Sequence, residues 1–341
     1  MHNKGKKICF FAKVSDRELL EIMQWYRNDI SILRELGYNV TVATNFSEIP
    51  WNCDLYFAWW PTTSIFPLIK SSIIDKPIIV VVGGSEVVSS EERIAGYYSK
   101  PLWARGIIQL CLKCATRILV VSKHLLKEAL NLGIKDAFLV YHGIKTDEFK
   151  PSDKKKDILF TISHLNKENT NRKRLYTIIK SVPYVREVFP NQKFVIAGRY
   201  MDAFDGLKNE VDRLGLSGTV IFPGKISNRE KLDYFSRCLI YLQPTIHEAF
   251  GVAIAEAMSC GIPVITSKVG AVPEVVKDCG IYTDPDDPRQ LAENIIMLLR
   301  DKVLRSELGR KARQRIINNF SYERRKEKIK EIIEDLIGGN G

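Results

Sequence analysis

Apolar residues follow two alternating registers along this chain. Short, nearly continuous runs such as ICFF, LYFAWW and IIVVV have the length and the aromatic and β-branched content of buried strands. Between them lie longer stretches in which apolar residues return every three or four positions, as helices with one buried face require. In the first half this predicts strands over residues 7–12, 39–43, 54–59, 77–82, 118–122 and 138–141, and helices over 19–36, 63–72, 102–115 and 123–132. Gly37 stands where the first helix should stop. A polar stretch, TDEFKPSDKKK, interrupts the pattern at 146–156 and reads as an interdomain linker. The alternation then restarts, with strands over 158–163, 193–197, 220–222, 239–243 and 264–266 and helices over 173–188, 207–214, 229–236 and 252–258. Two helices follow Pro288, and a basic amphipathic one covers 322–336. Strand–helix alternation of this kind predicts an α/β chain with two doubly wound, Rossmann-like sheets in tandem.

One segment departs from ordinary core patterning. HEAFGVAIAE, residues 247–256, sets Glu248 just before a helix start and Glu256 inside the helix, which Gly261 and Pro263 bring to a stop. The helix is apolar apart from Glu256, so that carboxylate requires a cation or hydrogen-bond donors. The first helical turn, around Phe250, Gly251, Val252 and Ala253, presents amide groups with no intrahelical acceptor, and Gly251 admits a ligand close to the main chain. Phosphate suits the amides, and a vicinal diol such as a ribose suits Glu256. The plainer alternative is a buried Glu–Arg pair and an ordinary loop carboxylate.

On this segment the chain resembles the retaining glycosyltransferases of the GT-B fold, in particular the group called family 4, whose E-x7-E motif Glu248 and Glu256 match. The resemblance covers most of the chain. It implies two Rossmann-like domains facing across a cleft that holds both substrates, with the final helix crossing back to the first domain: an acceptor domain over 1–150, a donor domain over 151–319 and a crossover helix over 320–341. By the same resemblance Glu256 holds the donor ribose and Glu248 approaches the donor sugar, while His247, Phe250, Gly251 and Val252 complete the donor contact, the last three through backbone N–H groups. Basic residues after the first strand of the second domain hold the diphosphate in the family. Here Lys173 aligns with the family lysine, Arg172 and Arg174 flank it, and His164 stands where arginine is usual. Glu248, Lys173 and Arg172 are thus the expected catalytic groups. The turn at Gly224 and Lys225 is expected near the base. Gly198 and Arg199 sit at the carboxyl end of a strand, where open α/β sheets bind ligands; a surface ion pair is the other reading of Arg199.

ATRILVVSKHLLKEAL, with Ser122, and HGIKTDEFKP match the family's segments at the end of the first domain, although His142 and Lys145 replace the common Asn and Asp. Two departures concern the site. VVVGGSEVV places Gly83 where a sugar-contacting histidine is usual, with Glu86 at the acidic position, and AKVSDRELLE replaces a glycine-rich turn after the first strand. The implied reaction transfers a sugar from a nucleotide-diphosphate-sugar donor to a hydroxyl acceptor with retention by same-face attack, and needs neither metal nor cofactor. A phosphorylase or glycan synthase of the same fold is a second enzyme reading. Gly83 and His164 also motivate a non-catalytic reading, a nucleotide-sugar-binding or regulatory protein that has lost turnover.

Composition adds three points. At 341 residues, 45% hydrophobic and 27% charged, the chain supports two ordinary soluble domains. Its formal charge of +11 calls for anionic partners. No zinc-finger spacing, aromatic–basic RNA-binding signature or basic heptad region accompanies that charge, so nucleic acid is not expected and nucleotide diphosphates or anionic lipids are. No apolar run is long enough to span a bilayer and the N-terminus lacks a signal peptide, so a cytoplasmic protein is expected, peripheral at the membrane at most. Lys100, Arg105, Lys113 and Arg117 stand among apolar residues in KPLWARGIIQLCLKCATR, either as a membrane-resting face toward a glycan or lipid-linked acceptor or as the basic outer side of a core helix. The seven cysteines suit free thiols, and Cys111-x-x-Cys114 lacks the second pair or histidine that a metal site requires.

Overall fold

The computed structural model describes residues 5–84, 86–88, 96–154 and 156–338; Lys155 of the expected linker lies outside them. The chain divides into two compact units, one running to Gly143 and resuming at Tyr322, the other spanning Ile144–Ser321. Residues 144–150, expected with the first domain, pack in the second unit. The Phe149 carbonyl there accepts from Ser259 Oγ at 2.6 Å and Arg313 Nη1 at 3.2 Å.

The first unit is built on a parallel six-stranded sheet, ordered β2-β1-β3-β4-β5-β6. Its elements are β1 (Lys7–Phe11), α1 (Leu19–Ile22), α2 (Gln24–Glu35), β2 (Asn39–Ala43), β3 (Leu55–Trp59), α3 (Ile65–Ile73), β4 (Ile78–Val82), α4 (Leu102–Cys114), β5 (Arg117–Val120), α5 (Lys123–Asn131) and β6 (Ala137–Leu139). Strands β3 and β4 are buried at every position, which is why they read as unbroken apolar runs: helices cover both faces of the sheet. The single helix expected over 19–36 is two. Met23 is extended (φ −78°, ψ 110°) and separates α1 from α2. Ser122 caps α5 by accepting from the Leu125 amide at 3.1 Å.

The second unit repeats the plan with a parallel sheet ordered β12-β11-β10-β7-β8-β9. It contains β7 (Ile158–Ile162), α6 (Lys167–Arg172), α7 (Leu175–Val188), β8 (Lys193–Ala197), α8 (Phe204–Arg213), β9 (Val220–Ile221), α9 (Asn228–Arg237), β10 (Cys238–Gln243), α10 (Val252–Ser259), β11 (Val264–Thr266), α11 (Val272–Val276), β12 (Ile281–Tyr282), α12 (Pro288–Arg300) and α13 (Lys302–Phe320). Helix α6 and the short α11 and β12 were not expected. Arg174, in a left-handed conformation (φ +51°), ends α6 and lets α7 start afresh.

The last helix, α14 (Tyr322–Ile337), belongs to the first unit. Arg325 fixes it there. Its Nε and Nη2 reach the two oxygens of Asp29 on α2 at 2.6 and 2.8 Å, its Nη1 donates to the carbonyls of Val140 and Tyr141, and Trp59 Nε1 donates to Asp29 Oδ2 at 3.1 Å. Every polar group of this buried pair thereby finds a partner, the condition under which such a pair is tolerated in a core. Among the described residues no helix is long and apolar enough to cross a membrane.

Candidate active site

In the second unit the carboxyl ends of the strands converge on the start of α10. Gly251, at φ +88°, is the residue before that helix and supplies no side-chain cap. A side chain is disfavoured at such a φ, and the uncapped first turn leaves its amides available to an acceptor from outside the helix. Val252 and Ala253 are half-buried there. Phe250 is different: its ring is buried edge-on against Phe320, with centroids 5.5 Å apart, so its side chain packs the core and only its backbone belongs to the site.

Both motif carboxylates are buried and each is held by one oxygen. Glu256 Oε1 accepts from Lys231 Nζ of α9 at 2.7 Å, and that ammonium also lies 4.9 Å from the Phe149 ring centroid. The expected partner of Glu256 therefore exists, but it is a lysine the sequence did not mark. Glu248 Oε1 accepts from Arg172 Nη1 at 2.6 Å and from Gln243 Nε2 at 2.7 Å. Tyr241 Oη in turn donates to Gln243 Oε1 at 2.9 Å, which fixes the amide with its NH2 toward Glu248. Burial pushes the Tyr241 hydroxyl well above its usual range and keeps it a donor. Gly270 completes the fit: a Cβ there would stand 2.4 Å from the Glu248 carbonyl oxygen.

The three basic residues expected as a diphosphate clamp part company. Arg172 is committed to Glu248, to the His247 carbonyl at 3.2 Å and to Asn169 Oδ1 at 2.9 Å. Arg174 turns to Asp286 at 2.8 Å. Lys173 alone lies between β7 and the carboxylate pair, its Nζ donating to the Ile162 carbonyl at 2.8 Å. Burial lowers its ammonium to about 8, with Glu248 and Glu256 pulling the other way and Arg172 adding to the depression. His164 and Arg199 join it from the ends of β7 and β8, both exposed. Burial, then Lys173, then Arg199 push the His164 imidazole down. The backbone is tight here: a Cβ on Gly198 would meet the Ser163 carbonyl oxygen at 1.5 Å, so only glycine fits. Gly198 N donates to Gly224 O at 2.9 Å, bringing the Gly224–Lys225 turn beside the same strand end, with Lys225 exposed. His247 is buried within the loop before α10. Lys231, Gln243 and Tyr241 escaped sequence reading; Gln243, a polar residue at the end of an otherwise apolar strand, carried the one legible signal.

The first unit explains its departure at Gly83. A Cβ there would meet the Trp60 ring at 2.8 Å and the Trp59 ring at 2.9 Å, so indoles fill the space a side chain would take. Trp60 itself is left-handed (φ +70°) and donates from Nε1 to Tyr26 Oη. Glu86 is buried beside them, one oxygen accepting from the Thr62 amide at 3.2 Å and hydroxyl at 2.9 Å, the other without a hydrogen-bond partner among the described residues. Burial lifts its carboxyl to about 7.

A family model described as Glycosyl transferases group 1 matches residues 143–315, half of the chain. The chain belongs to this glycosyltransferase family. A glycosyltransferase of Methanocaldococcus jannaschii whose own function is uncharacterized is 27% identical over 255 residues, 68% of this chain and 63% of that protein. The N-acetyl-alpha-D-glucosaminyl L-malate synthase of Bacillus anthracis is 32% identical over 129 residues, 37% of this chain and 33% of that enzyme. The chain thus spans between a third and two thirds of the length of these two relatives. Among solved structures, Anabaena HepE in complex with UDP and glucose aligns with a TM-score of 0.78 at 19% identity, covering 97% of this chain and all of that one. A sucrose-phosphate synthase from Thermosynechococcus elongatus aligns equally well, with a TM-score of 0.78 at 16% identity over 98% of this chain. These likenesses show that the glycosyltransferase has the GT-B fold.

Proposed function

We propose that this chain is a retaining, metal-independent glycosyltransferase of the family 4 type, using a nucleotide-diphosphate-sugar as donor and a hydroxyl as acceptor. The observation that carries the reading is the state of Glu248 and Glu256: each has Oε1 held in place, and no donor among the described residues holds either Oε2. Two fixed, half-satisfied carboxylates flank an uncapped helix start, an arrangement that sugar hydroxyls and a phosphate complete. Lys173, assisted by His164, Arg199 and the α10 amides, stabilises the charge that gathers on the leaving diphosphate. In the step itself the bond from the anomeric carbon to the diphosphate oxygen breaks and a bond to the acceptor oxygen forms on the same face. The acceptor proton passes to the departing phosphate, so no separate general base is assigned. The acceptor belongs to glycan, polysaccharide or glycolipid synthesis, and the protein works in the cytoplasm, peripherally at the membrane.

The test is nucleoside diphosphate release from UDP-, GDP- and ADP-sugars by wild type and Glu256→Ala. UDP-glucose heads the panel because the Anabaena structure holds UDP and glucose. Release with one donor, lost in the variant, supports the transferase. Binding without release in the presence of glycan and lipid acceptors would instead favour the non-catalytic reading that the crowded Gly83 position motivates.

A further inference from the structure

Helices α3 and α4 cover the same face of the first sheet, with Leu68, Ile65, Ile107 and Cys111 turned inward to one apolar cluster. Several of their outward positions are large and apolar. Ile69 and Ile73, one turn apart on α3, are 44% and 67% exposed; on α4, Leu102, Trp103 and Leu110 are 77%, 68% and 49% exposed. The inner face of α4 is already satisfied by Ala104, Ile108, Cys111 and Leu112, so this outer stripe is surplus to folding. Folding leaves large apolar side chains in water only at a cost, and a cluster of them on paired helices marks an interaction surface.

The charge around the stripe selects the partner. Neither α3 nor α4 contains a single Asp or Glu. Lys113 is exposed at the end of α4, and Lys100 and Arg105 flank its start, the Arg105 guanidinium lying 6.0 Å from the centroid of the exposed Tyr98 ring. Arg117 is discounted, being paired with Asp335 at 2.7 Å. We propose that the α3–α4 face docks this protein on an anionic lipid bilayer, with Trp103, Leu110 and Ile73 entering the interface and Lys100, Arg105 and Lys113 meeting the headgroups. Indole and aliphatic side chains at headgroup depth, with basic residues beside them, are the composition of an interfacial anchor. This deepens the membrane contact proposed above, and it is read by binding alone, apart from catalysis.

The experiment is flotation of the full chain with vesicles of phosphatidylglycerol and phosphatidylcholine, against vesicles of phosphatidylcholine only. Wild type floats with the anionic vesicles and much less with the neutral ones, and added salt releases it. Trp103→Ser with Leu110→Ser lowers partitioning at least about tenfold, and Lys113→Gln lowers it roughly fivefold. These side chains are exposed, so an unchanged melting temperature and unchanged nucleotide binding show that the variants are folded. Equal flotation of wild type and the double variant overturns the proposal, as does a wild type that ignores anionic vesicles. A wild-type dimer in sedimentation velocity that the double variant converts to monomer also overturns it, by assigning the face to a second copy. If nucleotide binding is absent in every variant while flotation behaves as stated, the donor reading fails and the docking surface stands.

Discussion

The buried carboxylates of the two units are handled in opposite ways. Asp29 in the first unit has both oxygens occupied, by Arg325 and Trp59, and ties α14 and β3 to α2. Glu248 and Glu256 in the second unit are, among the described residues, each fixed by one oxygen only. Burial and ion pairing are common to all three, so neither identifies a site. The distinguishing feature is a carboxylate that is oriented but not saturated, since a ligand can complete it without displacing anything. Glu86 is a third case: oriented by Thr62, unsaturated among the described residues, and dominated by burial, which Lys100 offsets only in part.

The saturated pair should be the costliest to break. Arg325→Met leaves Asp29 buried without a cation and is expected to destabilise the first unit by about 3–5 kcal/mol, read as a lowered urea midpoint. Asp29→Asn combined with Arg325→Met should recover much of that loss. A loss no larger than that of an exposed salt bridge would mean the pair is more hydrated than its burial indicates.

Glu86 tests the opposite extreme through pH. Its carboxyl is raised from 4.5 to about 7, so the folded chain binds a proton that the unfolded chain releases between those values. The stability this contributes is complete below about 4.5 and lost as pH rises through about 7. Glu86→Gln, neutral at every pH, should therefore match wild type near pH 4.5 and exceed it by about 3 kcal/mol near pH 8. Parallel stability curves for the two proteins would show that solvent or a cation reaches Glu86.

The sequence made the frame and the motif legible because both rest on local signals. Apolar runs bounded by turns mark strands that are covered on both faces, and a lone Glu in the apolar VAIAEAM run can only be a buried charge. Partners supplied by distant elements were not legible. Lys231 reads as one more surface lysine on α9, and Arg325 as part of the basic face of α14, until the fold brings each to its carboxylate. Arg172 and Arg174 part company for a related reason. Adjacent basic residues look equivalent in a row, but the left-handed backbone at Arg174 sends its side chain to Asp286 while Arg172 turns to Glu248. Met23 shows the local limit: nothing about a methionine inside an amphipathic pattern announces a break.

Lys173 sharpens the comparison on the cationic side. Its ammonium is depressed from 10.5 to about 8, chiefly by burial, so the charge is costly to the fold below about 8 and stability rises as pH moves from there toward 10.5. A diphosphate bound beside it restores the proton. Nucleoside diphosphate affinity should then fall with pH above about 8, by up to about tenfold per unit, and Lys173→Met should flatten that dependence. Isothermal titration at pH 7 and 9 in buffers of different ionisation heat would measure the linked proton directly. Equal affinities at both pH values would place the phosphate away from Lys173.

The smallest effect should come from the group furthest from the ligand. Tyr241 reaches Glu248 through Gln243, whose amide it orients. With phenylalanine in its place, the amide is free to turn its carbonyl toward Glu248, replacing a donor by an acceptor. Tyr241→Phe should lower kcat by about threefold to tenfold, the worth of one hydrogen bond between neutral groups, with donor KM little changed. Gln243→Met removes the donor outright and should cost at least as much. The decisive comparison is the double variant: if Tyr241 works only by fixing the amide, adding Tyr241→Phe to Gln243→Met changes kcat no further. Additive losses would mean that Tyr241 supports the strand independently of the amide, and that Gln243 and Arg172 orient Glu248 without its help.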